Sequence, residues 1–174
     1  METGHDGNPP IEATDRTHLS GPVSKRGVMS EACLSTSRNQ EPAPVIELRT
    51  PAEPIQLAPI RGVTASLAER CDMTLDQLAD LRLAVDEACS TLFRIALPDS
   101  DIVCTFRVRA DNFRFAACVP TSRPAVDGEY EQTFGWHVLR TLTDDLALHR
   151  HHGNGDGRAS TVTISFTVEC GEHM

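Results

Sequence analysis

Thr74-Leu-Asp-Gln-Leu-Ala-Asp-Leu-Arg-Leu-Ala-Val-Asp-Glu-Ala-Cys-Ser-Thr-Leu-Phe-Arg-Ile-Ala96 is the stretch whose reading decides the fold. Leu78, Leu81, Val85, Ala88, Leu92 and Ile95 recur at steps of three and four, which places them on one stripe of a helix. Thr74 and Gln77 have the spacing of a capping box, in which each side chain satisfies an N–H left free at the helix start. Leu97-Pro98-Asp99 ends the run, because the residue before a proline avoids the helical region. A helix of about 23 residues runs roughly 35 Å, long enough to be the spine of a small domain.

Upstream, Val45-Ile-Glu-Leu-Arg49 reads as a short strand, with apolar residues alternating around Glu47. A second helix is predicted from Leu57 to Arg70, with Pro59 in its first turn, where a missing N–H costs little. Downstream, strands at Ile102–Arg109 and Phe113–Val119 flank a tight turn at Ala110-Asp-Asn112. Pro120–Gln132 reads as a polar loop, Phe134–Thr143 as a short helix and Leu146–His149 as a strand. His151–Arg158 reads as a turn, and Val162, Ile164, Phe166 and Val168 alternate along a last strand, Thr161–Val168. The order β-α-α-β-β-α-β-β predicts an α/β (α+β) two-layer sandwich, with a mixed or antiparallel sheet and helices on one face.

The chain has 174 residues, enough for one domain and a tail. Residues 1–44 are rich in Gly, Ser, Thr, Pro and charge and show no periodicity, so they read as a disordered N-terminal tail. The domain is expected over 45–169, with 170–174 as a C-terminal tail. No apolar run approaches a membrane span and no signal pattern opens the chain, so a cytoplasmic protein without a membrane partner is expected. A net charge of −9 argues against direct nucleic-acid binding, since phosphates are repelled. None of the six cysteines forms a CxxC pair. Cys89, Cys104 and Cys118 sit in apolar patterns, and all six are expected as thiols.

Spacing also selects candidate chemistry. Glu87, Thr91 and Arg94 stand at i, i+4 and i+7 on the long helix, on a face distinct from the main stripe. Glu87 is then either a site carboxylate, acting as a general base, or part of a solvated edge on which Arg82 and Asp86 pair. His149, His151 and His152 lie close together, but no Cys or spaced carboxylate completes a zinc set, so no structural metal is expected. Phe134 and Trp136 are either core residues or an exposed binding anchor.

At the long helix a resemblance appears. Leu81-Arg-Leu-Ala-Val-Asp-Glu-Ala-Cys89 resembles the core of the RsbW/SpoIIAB-type anti-sigma factors, of the GHKL (Bergerat) ATPase–kinase superfamily. Thr91-Leu-Phe-Arg-Ile-Ala-Leu-Pro-Asp99, together with Thr133-Phe-Gly-Trp-His-Val-Leu-Arg-Thr-Leu-Thr-Asp-Asp145, is similar to the UsfX-type branch. The resemblance covers roughly Val45 to Val168 and implies the Bergerat, histidine-kinase-like ATPase fold. It implies a homodimeric stress-response regulator that sequesters an alternative sigma factor and is captured in turn by a STAS-domain anti-anti-sigma antagonist. Its alternative is an active ATP-dependent serine/threonine-protein kinase that phosphorylates that antagonist.

Residue by residue, the resemblance makes Glu87 the catalytic carboxylate that activates the attacking hydroxyl. Thr91 stands where the family has a Mg²⁺-binding asparagine, and a hydroxyl is a poorer magnesium donor than an amide carbonyl. Val119-Pro-Thr-Ser-Arg-Pro124 replaces the family's Asp-x-Gly-x-Gly, whose aspartate reads adenine, and Asp127-Gly128 follows too late to match it. The next glycine-rich turn is reduced to Gly135 before Trp136, and the last Gly-Thr turn becomes Ala159-Ser160-Thr161. Gly135, Trp136, Thr161 and Thr91 are therefore the cofactor-binding positions the resemblance implies, with ATP and Mg²⁺ bound weakly or not at all. Phosphate-cradling loops need glycine, because a Cβ obstructs the approach of backbone N–H groups.

Overall fold

The computed structural model describes residues 44–122, 130–153 and 159–171. Strand β1 (Val45–Pro51) leads through a 3₁₀ turn (Pro54–Gln56) into α1 (Leu57–Ala68) and α2 (Leu75–Phe93). The hairpin β2 (Asp101–Val108) and β3 (Asn112–Thr121) follows, then α3 (Phe134–Leu142), β4 (Asp144–His151) and β5 (Ser160–Glu169). The five strands form one sheet in the order β1-β2-β3-β5-β4, with every neighbouring pair antiparallel. Of the mixed and antiparallel arrangements the sequence left open, the second is found.

Alternation along the strands builds the core. Ile102, Cys104, Phe106 and Val108 on β2 face the same side as Phe113, Phe115, Ala117 and Val119 on β3 and Val162, Ile164, Phe166 and Val168 on β5. The buried stripe of α2, Leu81, Ala84, Val85, Ala88 and Leu92, closes onto that face. Phe115 meets Phe106 at 5.4 Å and Phe166 at 5.2 Å between ring centroids, so three strands share one aromatic cluster under the helix. On the opposite face Val103 and Cys118 pack together.

The capping box forms as read: the Gln77 N–H donates to Thr74 Oγ1 at 3.2 Å, and the Thr74 N–H donates to Gln77 Oε1 at 2.9 Å. Helix α2 stops at Phe93, before the predicted Ala96, because Ile95 and Ala96 both return their N–H groups to the Leu92 carbonyl, tightening the last turn. The Arg82–Asp86 pair is replaced by a bond from α1, in which Arg61 Nε donates to Asp86 Oδ1 at 2.7 Å. That contact clamps α1 to α2 across 25 residues of sequence.

Two strands outrun their sequence signal. β3 continues to Thr121, with Pro120 opposite Thr161 and Thr121 opposite Ser160. β4 extends beyond Leu146–His149 to Asp144 and His151, interrupted by a bulge between Asp144 and Ala147, where Asp145 adopts φ +46°. Cys71, Cys89, Cys104 and Cys170 are free thiols, whereas Cys118 is disulfide-bonded, against the expectation for all six. The difference follows from its side: Cys118 points away from the helices, to the face it shares with Val103.

Candidate functional site

Helices α2 and α3 pack against each other, and a cavity of about 350 Å³ opens between them. Glu87, Thr91, Arg94 and Ile95 line it from α2; Tyr130, Thr133, Phe134 and Gly135 line it from the start of α3. The i, i+4, i+7 spacing on α2 thus does place three polar side chains along one wall.

The start of α3 is held by its own cap. Thr133 Oγ1 accepts from the Trp136 N–H at 3.2 Å and donates to the Tyr130 carbonyl at 2.7 Å, fixing the entry of the helix. The Glu87 carboxylate lies against this first turn. A Cβ built on Gly135 would stand 3.1 Å from Glu87 Oε2 and 3.3 Å from Cδ, so the absence of a side chain at 135 makes room for the carboxylate. Its negative charge also sits beside the positive end of the helix dipole, a favourable place for a carboxylate whether or not it reacts.

Thr91 is 5 % exposed, and its hydroxyl accepts a hydrogen bond from Arg94 Nη2 at 3.2 Å. A guanidinium therefore lies beside the one oxygen that the resemblance offers as a metal donor. Among the described residues no three His, Cys, Asp or Glu side chains converge as a metal set. One carboxylate, one hydroxyl and a permanent cation make a poor magnesium site, because Mg²⁺ takes near-octahedral oxygen donors and is repelled by Arg. The residues present do not fit the metal. The adenine end also departs from the family. Where a loop with an aspartate is expected, β3 remains paired through Thr121, and Val119 is buried in the core. Asp127-Gly128 lies outside the described residues.

The remaining sequence candidates separate. Gly135 reaches the cavity. Trp136 does not: it is 8 % exposed, packed into the core, and lines a neighbouring groove with Glu131, Arg140, Thr143 and Leu146. Phe134 takes the other alternative, 83 % exposed at the cavity rim. Thr161 lies away from the cavity, since β5 alternates and its neighbour Val162 takes the core side. His149 and His151 share one face of β4, as their spacing implies.

Tyr130 and Thr133 are lining residues that the sequence reading placed in or beside a polar loop. Thr133 carried a usable signal, a threonine immediately before an amphipathic run, which is the N-cap pattern. Tyr130 carried none: its ring is buried and lies 5.5 Å from the Arg150 guanidinium of β4, a contact made only in three dimensions.

Residues 50–166 match the family described as the histidine kinase-like ATPase domain. The chain belongs to that family. It is 32 % identical over 144 residues to the anti-sigma-F factor RsbW of Mycobacterium tuberculosis (strain ATCC 25618 / H37Rv), covering 82 % of this chain and 83 % of the relative. It is 27 % identical over 144 residues to the serine-protein kinase RsbW of Bacillus subtilis (strain 168), covering 72 % of this chain and 85 % of the relative. A serine-protein kinase RsbW of Bacillus velezensis (strain DSM 23117 / BGSC 10A6 / LMG 26770 / FZB42) is 27 % identical over 141 residues, covering 70 % and 83 %. The antiparallel sheet with helices on one face is the histidine-kinase-like ATPase fold.

Proposed function

We propose that this chain is an anti-sigma factor that sequesters an alternative sigma factor by stoichiometric binding and is released by competition from a STAS-domain antagonist. The observation that carries the binding-only part is the Arg94 guanidinium on the Thr91 hydroxyl, a cation beside the position where the resemblance implies a metal ligand for phosphoryl transfer. The similarity to an anti-sigma-F factor over 82 % of the chain supports the partner class. An interface of standard size, about 1,600 Å², holds a partner without chemistry. The net charge of −9 suits a partner that carries basic DNA-binding residues, because opposite fields speed encounter. A homodimer is part of this reading, taken from the resemblance.

Release then requires a competitor with differential affinity, since a ligand shifts an equilibrium only by that difference. In transcription with purified sigma factor and core polymerase, the chain without nucleotide inhibits near one-to-one stoichiometry, and Glu87→Ala inhibits equally. Inhibition that strictly requires ATP turnover, with stoichiometric phosphorylation of the antagonist abolished by Glu87→Ala, establishes the serine-kinase reading instead. Failure of every sigma factor of the parent cell to bind rejects the partner class.

A further inference from the structure

Outside the cavity, two cysteines far apart in sequence meet where the α1–α2 connection crosses the end of β5. Cys71 lies between α1 and the α2 cap, and Cys170 directly follows β5. The backbone joins them on both sides: the Gly171 N–H donates to the Asp72 carbonyl at 3.2 Å, and the Cys170 N–H donates to the Asp111 carbonyl at 2.7 Å. The Cys71 thiol reaches the Arg109 carbonyl at 3.3 Å, in the same β2–β3 turn. Both thiols are free and neighbour each other across this junction, and each donates to a backbone carbonyl, Cys71 to Arg109 and Cys170 to Val168 at 3.9 Å. Cys170 is half-buried and Cys71 is 7 % exposed, so the pair reaches the surface through Cys170. Cys89 and Cys104 also touch, but both are 0 % exposed in the core. Small oxidants therefore reach one pair and not the other.

We propose that Cys71 and Cys170 form a redox-modifiable dithiol that a hydroperoxide converts into an intramolecular disulfide. Cys71 is the attacking sulfur. The Cys170 thiol and the Arg70 charge favour its thiolate, although burial, the larger effect, raises its pKa above the ordinary cysteine value. Burial and the neighbouring Cys71 thiol push the Cys170 thiol well above that value, so it holds its proton longer. The Cys71 thiolate attacks one peroxide oxygen and the O–O bond breaks. The departing oxygen takes a proton and leaves as an alcohol, or as water from hydrogen peroxide, and Cys71 becomes a sulfenic acid. Cys170 then attacks the Cys71 sulfur; the S–O bond breaks, and the hydroxide leaves as water with the Cys170 proton. Two thiols and one hydroperoxide give one disulfide, one alcohol and one water, and the two electrons pass from sulfur to oxygen.

Because both pKa values are raised, the thiolate is scarce at neutral pH, and the rate rises about tenfold per pH unit below the Cys71 pKa. High-pKa thiols are poor leaving groups, so the bond, once formed, resists exchange. It closes a loop of roughly 100 residues and fixes the start of α2 to the sheet. The proposal stands independently of the sigma-binding reading.

The test treats the full chain with hydrogen peroxide between pH 7 and 9, alkylates the remaining thiols under denaturing conditions and digests with trypsin. The expected product is peptide 71–82 joined to peptide 159–174, forming faster at higher pH, with Cys89 and Cys104 recovered alkylated. The oxidised chain melts about 5 °C or more above the reduced chain, and Cys71→Ser abolishes that shift. In Cys170→Ser, Cys71 stops at the sulfenic acid, which dimedone traps. Absence of the 71–82/159–174 product across this pH range, its replacement by a link to Cys118, or an unchanged melting temperature with the link formed overturns the proposal.

Discussion

Thr91 and Arg94 decide what Glu87 can do. The Glu87 carboxylate lies against the start of a short helix and faces a cavity. Phosphoryl transfer, however, depends on placing phosphates and metal, and here the neighbouring oxygen is bonded to a guanidinium at 3.2 Å. Mg·ATP is therefore expected to give no saturating isotherm in the micromolar range by calorimetry. Thr91→Asn alone is expected not to restore magnesium-dependent binding, because Arg94 remains beside residue 91 and β3 stays paired through Thr121 where the resemblance implies an adenine-reading loop. A micromolar isotherm for either protein contradicts this account. Gly135 offers a second test. A methyl group there presses on Glu87 at 3.1 Å, and the flexible carboxylate end has to give way. Alanine in a helix gains about 0.5–1 kcal/mol over glycine. Gly135→Ala should consequently change stability by less than about 1 kcal/mol in urea melts, while larger side chains at 135 destabilise.

At the scale of elements, Thr133 carries more than its place before α3 suggests, since one hydroxyl both caps the helix and holds Tyr130. Thr133→Ala should cost about 1 kcal/mol, the usual value of an N-cap. It should also change the fluorescence of Trp136, the chain's one tryptophan, whose backbone N–H loses its partner. An unaltered spectrum together with unaltered stability removes the cap from the account of the site. What the sequence revealed follows the same division. The α2 stripe, its capping box and the β2–β3 hairpin were legible because local pattern and tertiary burial agree there. The end of α2 and the length of β4 were not. One is set by Ile95 and Ala96 tightening onto Leu92, the other by backbone pairing of a polar edge strand with β5. Of the site, Glu87, Thr91 and Gly135 were legible through spacing and resemblance. The Thr91–Arg94 bond and the burial of Tyr130 depend on side-chain directions that spacing does not fix.

Across the whole molecule, the core closes on itself. Among the described residues, every side chain in the main apolar cluster, from Ile46 to Cys170, belongs to the sheet, the three helices and their connections, with the largest aromatics gathered on β2, β3 and β5. Residues 1–43 lie outside the described residues. Their composition, poor in apolar residues and rich in Gly, Ser, Thr, Pro and charge, gives little burial to offset ordering entropy. A chain beginning at residue 44 should therefore unfold in one cooperative transition, within a few degrees of full-length protein whose Cys118 disulfide has been reduced. The sensitive place is the face opposite the helices, where Val103 and Cys118 are 0 % and 1 % exposed and Cys118 is disulfide-bonded. Exposing two side chains of that size costs about 2–4 kcal/mol if both become fully wet. Full-length protein reduced with a thiol and the shortened chain should therefore be compared in the same melt. Agreement within a few degrees places the stability in residues 44–171. A shortened chain that melts without cooperativity shows instead that the outer face of the sheet is part of the folding unit.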